Sequence, residues 1–159
     1  MVLMQTQIKR LGKKDLALFK ELICVFQAVF EMENAVRPDE SYLQNVLNKR
    51  DFIALAVIHK NEVIGGLTAY ELQMIYGEYS ELFIYDLGIK AEFQRKGLGK
   101  KLISAVKEYC KQNEIKEFFV PVNEEDKHAL DFYRSTGGRA EKVVHFNYGS
   151  SLQNELFRH

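Results

Sequence analysis

The sequence predicts a mixed α/β fold in which a β-sheet is flanked by helices. Helical and β-type hydrophobic patterns follow one another along the chain, a strand–helix–strand unit spans residues 81–122, and no repeat or linker interrupts the pattern. The 159 residues are enough to bury the core of one domain. We therefore expect a single domain over residues 1–159 with the element order α-α-β-β-β-α-β-α-β, and a loose tail at 150–159.

The first half of the chain predicts two helices and then three strands. Apolar residues at helical spacing predict a helix over residues 13–34, and Asp39 is a candidate N-cap for a second helix that ends near Lys49. Runs of β-prone residues, separated by turn residues, follow these helices. The predicted strands are 52–58, 63–75 and 81–90.

The second half of the chain predicts helices and strands in alternation. An amphipathic pattern predicts a long helix, and Gly137-Gly138 would end the helix that follows it. In chain order, the predicted elements are a helix at 97–113, a strand at 117–122, a helix at 125–136 and a strand at 139–148.

Charges of opposite sign are segregated along the chain, although the formal net charge is zero. From Lys90 to Lys116 there are eight basic residues against three acidic ones, whereas residues 71–86 carry carboxylates and no Lys or Arg. This pattern suits a protein that binds an anion on one side and a cation on the other, and solvated surface charge is the alternative. The zero net charge argues against a general nucleic-acid or membrane-surface binder.

The N-terminus, the apolar runs and the cysteines are typical of an intracellular protein without a membrane span or a metal site. The N-terminus lacks a continuous apolar segment, so we expect no signal peptide and a cytoplasmic location. The longest apolar run, Phe52–Ile58, is too short to cross a bilayer. Neither Cys24 nor Cys110 has a second Cys or His at metal-ligand spacing, so we expect buried reduced thiols and no metal site.

The stretch EFQRKGLGKK, residues 92–101, lies between a predicted strand and a predicted helix. A helix N-terminus exposes backbone N–H groups, and glycine lets a phosphate approach them. Gly97 and Gly99, with cationic neighbours, therefore indicate an anion site, and an ordinary turn before a surface helix is the alternative. The Walker motif is absent, and Leu102 breaks the GxGxxG pattern.

Two motifs in the second half of the chain resemble those of a known family. QRKGLG at 94–99 matches a Gln/Arg-x-x-Gly-x-Gly/Ala signature, and Asn123, ALDFY at 129–133 and Gly137 match an N…A-x-x-F/L-Y-x-x-x-G pattern. On these motifs the sequence resembles the GNAT superfamily of acyl-CoA-dependent N-acetyltransferases over nearly its whole length. The segments DESYLQNVLNKRDFIALAV, ELFIYDLGI and EKVVHFNYG further resemble bacterial aminoglycoside 3-N-acetyltransferases of the GNAT type.

The resemblance implies a GNAT-like mixed β-sheet with splayed central strands and acetyl-CoA as the co-substrate. The coenzyme A pyrophosphate would lie on backbone N–H groups before the long helix, and the pantetheine arm would pair like an extra strand along residues 87–89. Gly88 would mark the bulge where the family splays its fourth strand, an ordinary strand glycine being the alternative. The implied cofactor-binding residues are Leu87, Gly88, Ile89, Gln94, Arg95, Lys96, Gly97, Leu98, Gly99, Lys100 and Asn123.

Two residues are candidates for the chemistry. By resemblance, Tyr133 is the general acid that protonates the departing thiolate, while an aromatic side chain packed on a helix is the alternative. Asp86 interrupts an otherwise apolar strand, where a carboxylate is costly unless it is paired or hydrogen-bonded. We interpret Asp86 as a general base, acting directly or through water, and as an anchor for an ammonium group. The alternative is a strand-edge carboxylate that reaches water or a lysine.

The resemblance implies direct transfer of an acetyl group, in a ternary complex, to the 3-amino group of an aminoglycoside. Another small amine or polyamine, a protein N-terminus and a non-catalytic acyl-CoA sensor are the alternatives. A polycationic acceptor needs an acidic cleft, and the available carboxylates are Asp39, Glu40, Glu71, Glu78, Glu81, Asp86, Glu124, Glu125 and Asp126. The expected partner is thus a small cationic amine, with no nucleic acid or membrane, and a homodimer is left open.

Overall fold

The computed structural model describes residues 4–149. The chain divides into two compact units, and the boundary falls after Asn123. The predicted tail at 150–159 lies outside the described residues, and the single-domain expectation stays a prediction.

The first unit contains a five-stranded sheet, three α-helices and a short 3₁₀ helix. Its strands are β1 (Gln7–Arg10), β2 (Phe52–His59), β3 (Glu62–Gln73), β4 (Ser80–Ile89) and β5 (Ile115–Phe119). Its α-helices are α1 (Leu16–Val29), α2 (Glu40–Leu47) and α3 (Leu98–Gln112), and the 3₁₀ helix is Ala91–Phe93. The strands lie in the order β1-β2-β3-β4-β5, all pairs being antiparallel except the parallel pair β4–β5. In the second unit, α4 spans Lys127–Ser135.

This architecture confirms the predicted mixed α/β class and the central strand–helix–strand unit, β4-α3-β5. The strand β1 carries no β-type pattern in the sequence, because its four residues, QIKR, include one apolar side chain and the strand is held by backbone pairing with β2. The strand predicted at 139–148 was wrong, since these residues form neither helix nor strand and are exposed. Their β-prone side chains need a partner strand, and residues 4–149 supply none to them.

The core fills both faces of the sheet. On one face, α1 and α2 pack against Phe52, Ala54 and Ala56 of β2. The alternating residues Ile53 and Leu55 are also buried and therefore point to the other face. The helix α3 contacts β2, β4 and β5 and buries its own apolar stripe. Within residues 4–149 no helix is both long and apolar enough to span a bilayer.

A one-residue bulge in β4 decides which side chains share a face. The register with β3 pairs Ala69 with Ile84 and then Thr68 with Asp86, so Tyr85 is an extra residue on β4. Because side chains alternate between faces, one inserted residue reverses every position beyond it. Asp86 therefore lies on the α1/α2 face of the sheet, whereas an unbroken strand would place it on the opposite face, with Ile84.

The sheet also opens beside this bulge. β4 pairs with β5 only from Ser80 to Phe83, the last pair being Phe83 with Phe119. From Ile84 to Ile89, no strand among residues 4–149 pairs with the corresponding edge of β4. This opening is the splay of central strands that the resemblance implied.

Candidate active site

The predicted anion cradle forms the turn that leads into α3. The side-chain amide of Gln94 donates a hydrogen bond to the carbonyl oxygen of Ile89 at 2.9 Å, which ties the turn to the end of β4. Arg95 (φ 58°) and Gly97 (φ 80°) adopt left-handed conformations, and α3 begins at Leu98. A Cβ added to Gly97 would meet no atom within 4 Å, so the space in front of the turn is open.

The N-terminus of α3 keeps its hydrogen-bond donors available. No described side chain caps it, its first turn contains no acidic residue, and the first helical bond runs from the Lys101 N–H to the Gly97 oxygen at 3.0 Å. In α2 and α4, by contrast, an aspartate side chain at the N-cap accepts a backbone N–H. The N–H groups of Leu98, Gly99 and Lys100 are thus placed to receive an anion.

Gly88 does not mark the bulge, and that expectation was wrong. It pairs with Gly66, three positions beyond the extra residue Tyr85. A Cβ on Gly88 would come within 3.2 Å of Phe26 and 3.3 Å of Val29 in α1, so close packing of α1 on the sheet explains this glycine. The bulge itself needs no glycine, because the extra residue is an exposed tyrosine. A role of residues 87–89 along the pantetheine arm stays a prediction.

The carboxylate of Asp86 is held by a buried threonine. The Thr68 hydroxyl donates a hydrogen bond to Asp86 Oδ2 at 2.6 Å, and Thr68 is only 5% exposed. Asp86 itself is partly buried, and this contact orients its carboxylate on the α1/α2 face. The sequence analysis missed Thr68, although a hydroxyl inside the apolar run VIGGLTA carries the same signal as the aspartate in β4.

A row of aromatic rings crosses the sheet on the face that holds Asp86. We call Phe52, Tyr70, Phe83, Tyr85 and Phe119 the aromatic row. The ring centroids are 5.3 Å apart for Phe52–Tyr70, 6.1 Å for Tyr70–Tyr85, 5.6 Å for Phe83–Tyr85 and 5.2 Å for Phe83–Phe119. The sequence analysis assigned these aromatics only to strands, because their meeting depends on the pairing of β2 to β5.

Burial and nearby negative charges raise the pKa of Tyr70. Burial and then the negative charge of Asp86 raise the pKa of the Tyr70 hydroxyl, and Asp51 adds to the same shift. Tyr70 therefore keeps its proton at neutral pH, and two carboxylates of the first unit lie close enough to this ring to act on it.

In the second unit, α4 begins and ends with well-formed caps. At its start, the Asp126 side chain accepts a hydrogen bond from the Ala129 N–H at 2.9 Å. At its end, the Gly137 N–H donates to the Arg134 carbonyl and the Gly138 N–H donates to the Tyr133 carbonyl, both at 3.0 Å. Burial raises the pKa of Tyr133 to about 12, with a smaller contribution from Asp126. The phenol is therefore protonated at neutral pH, as a proton donor must be.

The structure brings one group of predicted site residues together. In the first unit, Gln94 bonds the turn at 94–97 to Ile89, the last residue of β4. Asp86 lies three residues before Ile89 on the same strand, about 10 Å from it at the usual strand rise. Asn123 is exposed in the loop after β5, and its role stays a prediction. Tyr133 belongs to the second unit.

Cysteine burial differs between the two predicted thiols. Cys110 is buried in α3 as expected, but the expectation was wrong for Cys24, which is exposed. Cys24 lies between the buried positions Leu22 and Val25 on α1 and therefore points outward. In the part of the chain that the structure describes, no three His, Cys, Asp or Glu side chains gather as metal ligands would, and the absence of a metal stays a prediction.

Residues 17–137 match the family model of the Acetyltransferase (GNAT) family. The chain belongs to the GNAT family. The resemblance drawn from its motifs is thereby confirmed, and the protein is an N-acetyltransferase.

Solved structures of similar sequence include two aminoglycoside acetyltransferases from uncultured soil metagenomic samples. The first, meta-AAC0020, is 42% identical with a TM-score of 0.89 over 91% of this chain and 96% of its own, in complexes with trehalose and with sisomicin. The second, HMB0005, is 33% identical with a TM-score of 0.87 over 93% of this chain and 100% of its own. AAC(6')-Iy, solved in complex with CoA, is 15% identical with a TM-score of 0.73 over 91% of this chain and 95% of its own, and shares the fold.

Proposed function

We propose that this GNAT acetyltransferase moves the acetyl group of acetyl-CoA to the 3-amino group of an aminoglycoside by direct transfer in a ternary complex. The observation that carries the proposal is the position of Asp86, beside an unpaired strand edge that continues into an uncapped helix N-terminus. Two relatives at 42% and 33% identity, both aminoglycoside acetyltransferases, support the acceptor class. The choice of the 3-amino group rests on the segment resemblances.

In this proposal the anionic end of acetyl-CoA binds where α3 begins. The N–H groups of Leu98, Gly99 and Lys100 receive the pyrophosphate, and Arg95 and Lys96 supply positive charge beside it. The open space at Gly97 lets the phosphates approach the backbone. The acyl-pantetheine arm then takes the place that β5 leaves along residues 87–89 of β4.

Asp86 acts as the general base of the transfer and Tyr133 as its general acid. Asp86 pairs with the acceptor ammonium and takes its proton, directly or through one water. The freed nitrogen attacks the thioester carbonyl carbon, a C–N bond forms and the C–S bond breaks. The Tyr133 hydroxyl gives its proton to the departing thiolate, so free CoA leaves as the thiol. The acylated nitrogen loses its second proton to water and becomes a neutral amide nitrogen, and solvent then returns a proton to the Tyr133 phenolate and takes one from Asp86.

The first prediction concerns Asp86 and the acceptor class. The enzyme should release CoA thiol with sisomicin faster than with spermidine or a peptide with a free N-terminus, and NMR should place the acetyl group on the 3-amino nitrogen. Asp86→Asn removes the proton acceptor and the charge, so kcat/KM for sisomicin should fall roughly 100-fold or more. Thr68→Val, which removes only the donor to Asp86, should cause a smaller fall in the same direction.

The matched control is Glu108→Gln, which removes one exposed carboxylate on α3 and should leave kcat/KM unchanged. Full activity of Asp86→Asn would exclude its role as base. If the enzyme acetylates the peptide faster than sisomicin, the acceptor is a protein N-terminus and the aminoglycoside proposal is wrong.

The second prediction tests the cradle through Gly97. Gly97→Ala has room for its methyl group, but an alanine at φ 80° is strained by about 1–2 kcal/mol. Relief of that strain moves the N–H groups, so acetyl-CoA affinity measured by calorimetry should fall about 5- to 30-fold. The control Gly12→Ala, whose Cβ would meet its nearest atom at 3.9 Å, should bind acetyl-CoA normally. Equal affinity for both variants would exclude the cradle.

The third prediction assigns Tyr133 to the thiolate. Tyr133→Phe should lower kcat roughly 100-fold and leave the acetyl-CoA dissociation constant unchanged. The acid acts only when protonated, and burial raises its pKa to about 12, so wild-type kcat should show no loss from this group until the pH exceeds about 10. The control Tyr148→Phe changes an exposed tyrosine of the same unit. An unchanged kcat in Tyr133→Phe would contradict the assignment.

A further inference from the structure

The aromatic row begins in the core and ends in solvent. Phe52 is 7% exposed, Tyr70 is partly buried, and Phe119 and Tyr85 are 42% and 60% exposed. The buried end is explained by packing against α1 and α2. The exposed end is not, because large apolar side chains gathered at the surface lose the benefit of burial unless they serve to bind something.

The exposed end has a defined shape. The rings of Phe83 and Phe119 are stacked at an interplanar angle of 14° and form an apolar pair, which we call the plate, whose more exposed member is Phe119. Tyr85 stands nearly perpendicular to Phe83, at 75°, and to Tyr70, at 81°. The bulge is what brings the Tyr85 ring to this position, and the next residue is Asp86. The plate and the Tyr85 ring, which lies at a steep angle to Phe83, therefore adjoin an oriented carboxylate.

We propose that Phe83, Tyr85 and Phe119 form an acceptor shelf that binds a six-membered sugar or aminocyclitol ring carrying ammonium groups. The inference rests on the proposed function and names the part of the site that recognises the ring. The C–H face of such a ring packs against the plate and the Tyr85 ring, while its ammonium groups contact the Asp86 carboxylate. A linear polyamine shares the charge but has no ring face for the plate.

The shelf makes a ring-specific prediction for Tyr85→Ala. Binding of sisomicin to the CoA-loaded protein, measured by calorimetry, should weaken about tenfold, whereas binding of spermidine should change less than about twofold. Tyr85→Phe keeps the ring and should bind sisomicin almost as wild type does. Because Tyr85 is exposed, Tyr85→Ala should melt at the wild-type temperature. Phe119→Ser, a second exposed position, should show the same selective loss.

The matched control is Tyr76→Ala, which removes a tyrosine that is 90% exposed and lies outside the aromatic row. Unchanged sisomicin binding in Tyr85→Ala, or equal weakening of sisomicin and spermidine, would overturn the shelf. Failure of the proposed function looks different, since wild-type protein would then bind sisomicin without acetylating it. If wild-type protein does not bind sisomicin, both proposals fall.

Discussion

The site depends on one irregularity, the extra residue that Tyr85 adds to β4. Strand side chains alternate strictly between the faces of a sheet, so a regular β4 would point Asp86 into the apolar core around Ile84. The bulge reverses the strand beyond Tyr85 and places Asp86 on the opposite face, where the buried Thr68 hydroxyl orients it. This single residue moves the charge away from the side of the fully buried Ile84 and onto the side where a threonine hydroxyl donates to it.

The same region of β4 carries the other parts of the proposed site. Pairing with β5 ends at Phe83, so the backbone of the following residues is open to a ligand that adds a strand. This edge runs into the turn at 94–97 through the Gln94 bond to Ile89, and the turn exposes an uncapped helix N-terminus. Each part breaks a rule that stabilises an ordinary fold, namely pairing, alternation or capping, and such departures are expected where a protein binds and reacts.

Local patterns predicted most of the fold but not the geometry of the site. The periodicity of β4 and the glycine pattern of the turn depend on neighbouring residues, so the sequence predicted the strand, the turn and α3. The bulge is a property of register with β3, and a strand glycine wrongly suggested Gly88 for it. The aromatic row was missed for the same reason, because it is assembled from four strands. The wrong strand at 139–148 shows why composition alone does not predict a strand, since β-prone residues form one only when a second strand pairs with them.

The most direct measurement is a crystal structure with CoA and sisomicin, in which the distance from the Asp86 carboxylate to the 3-amino nitrogen is determined. The account predicts direct contact at about 2.6–3.2 Å, or one bridging water between the two groups. A 3-amino nitrogen on the face of the sheet that holds Ile84, or one more than about 6.5 Å from Asp86, beyond the reach of one water, would contradict it.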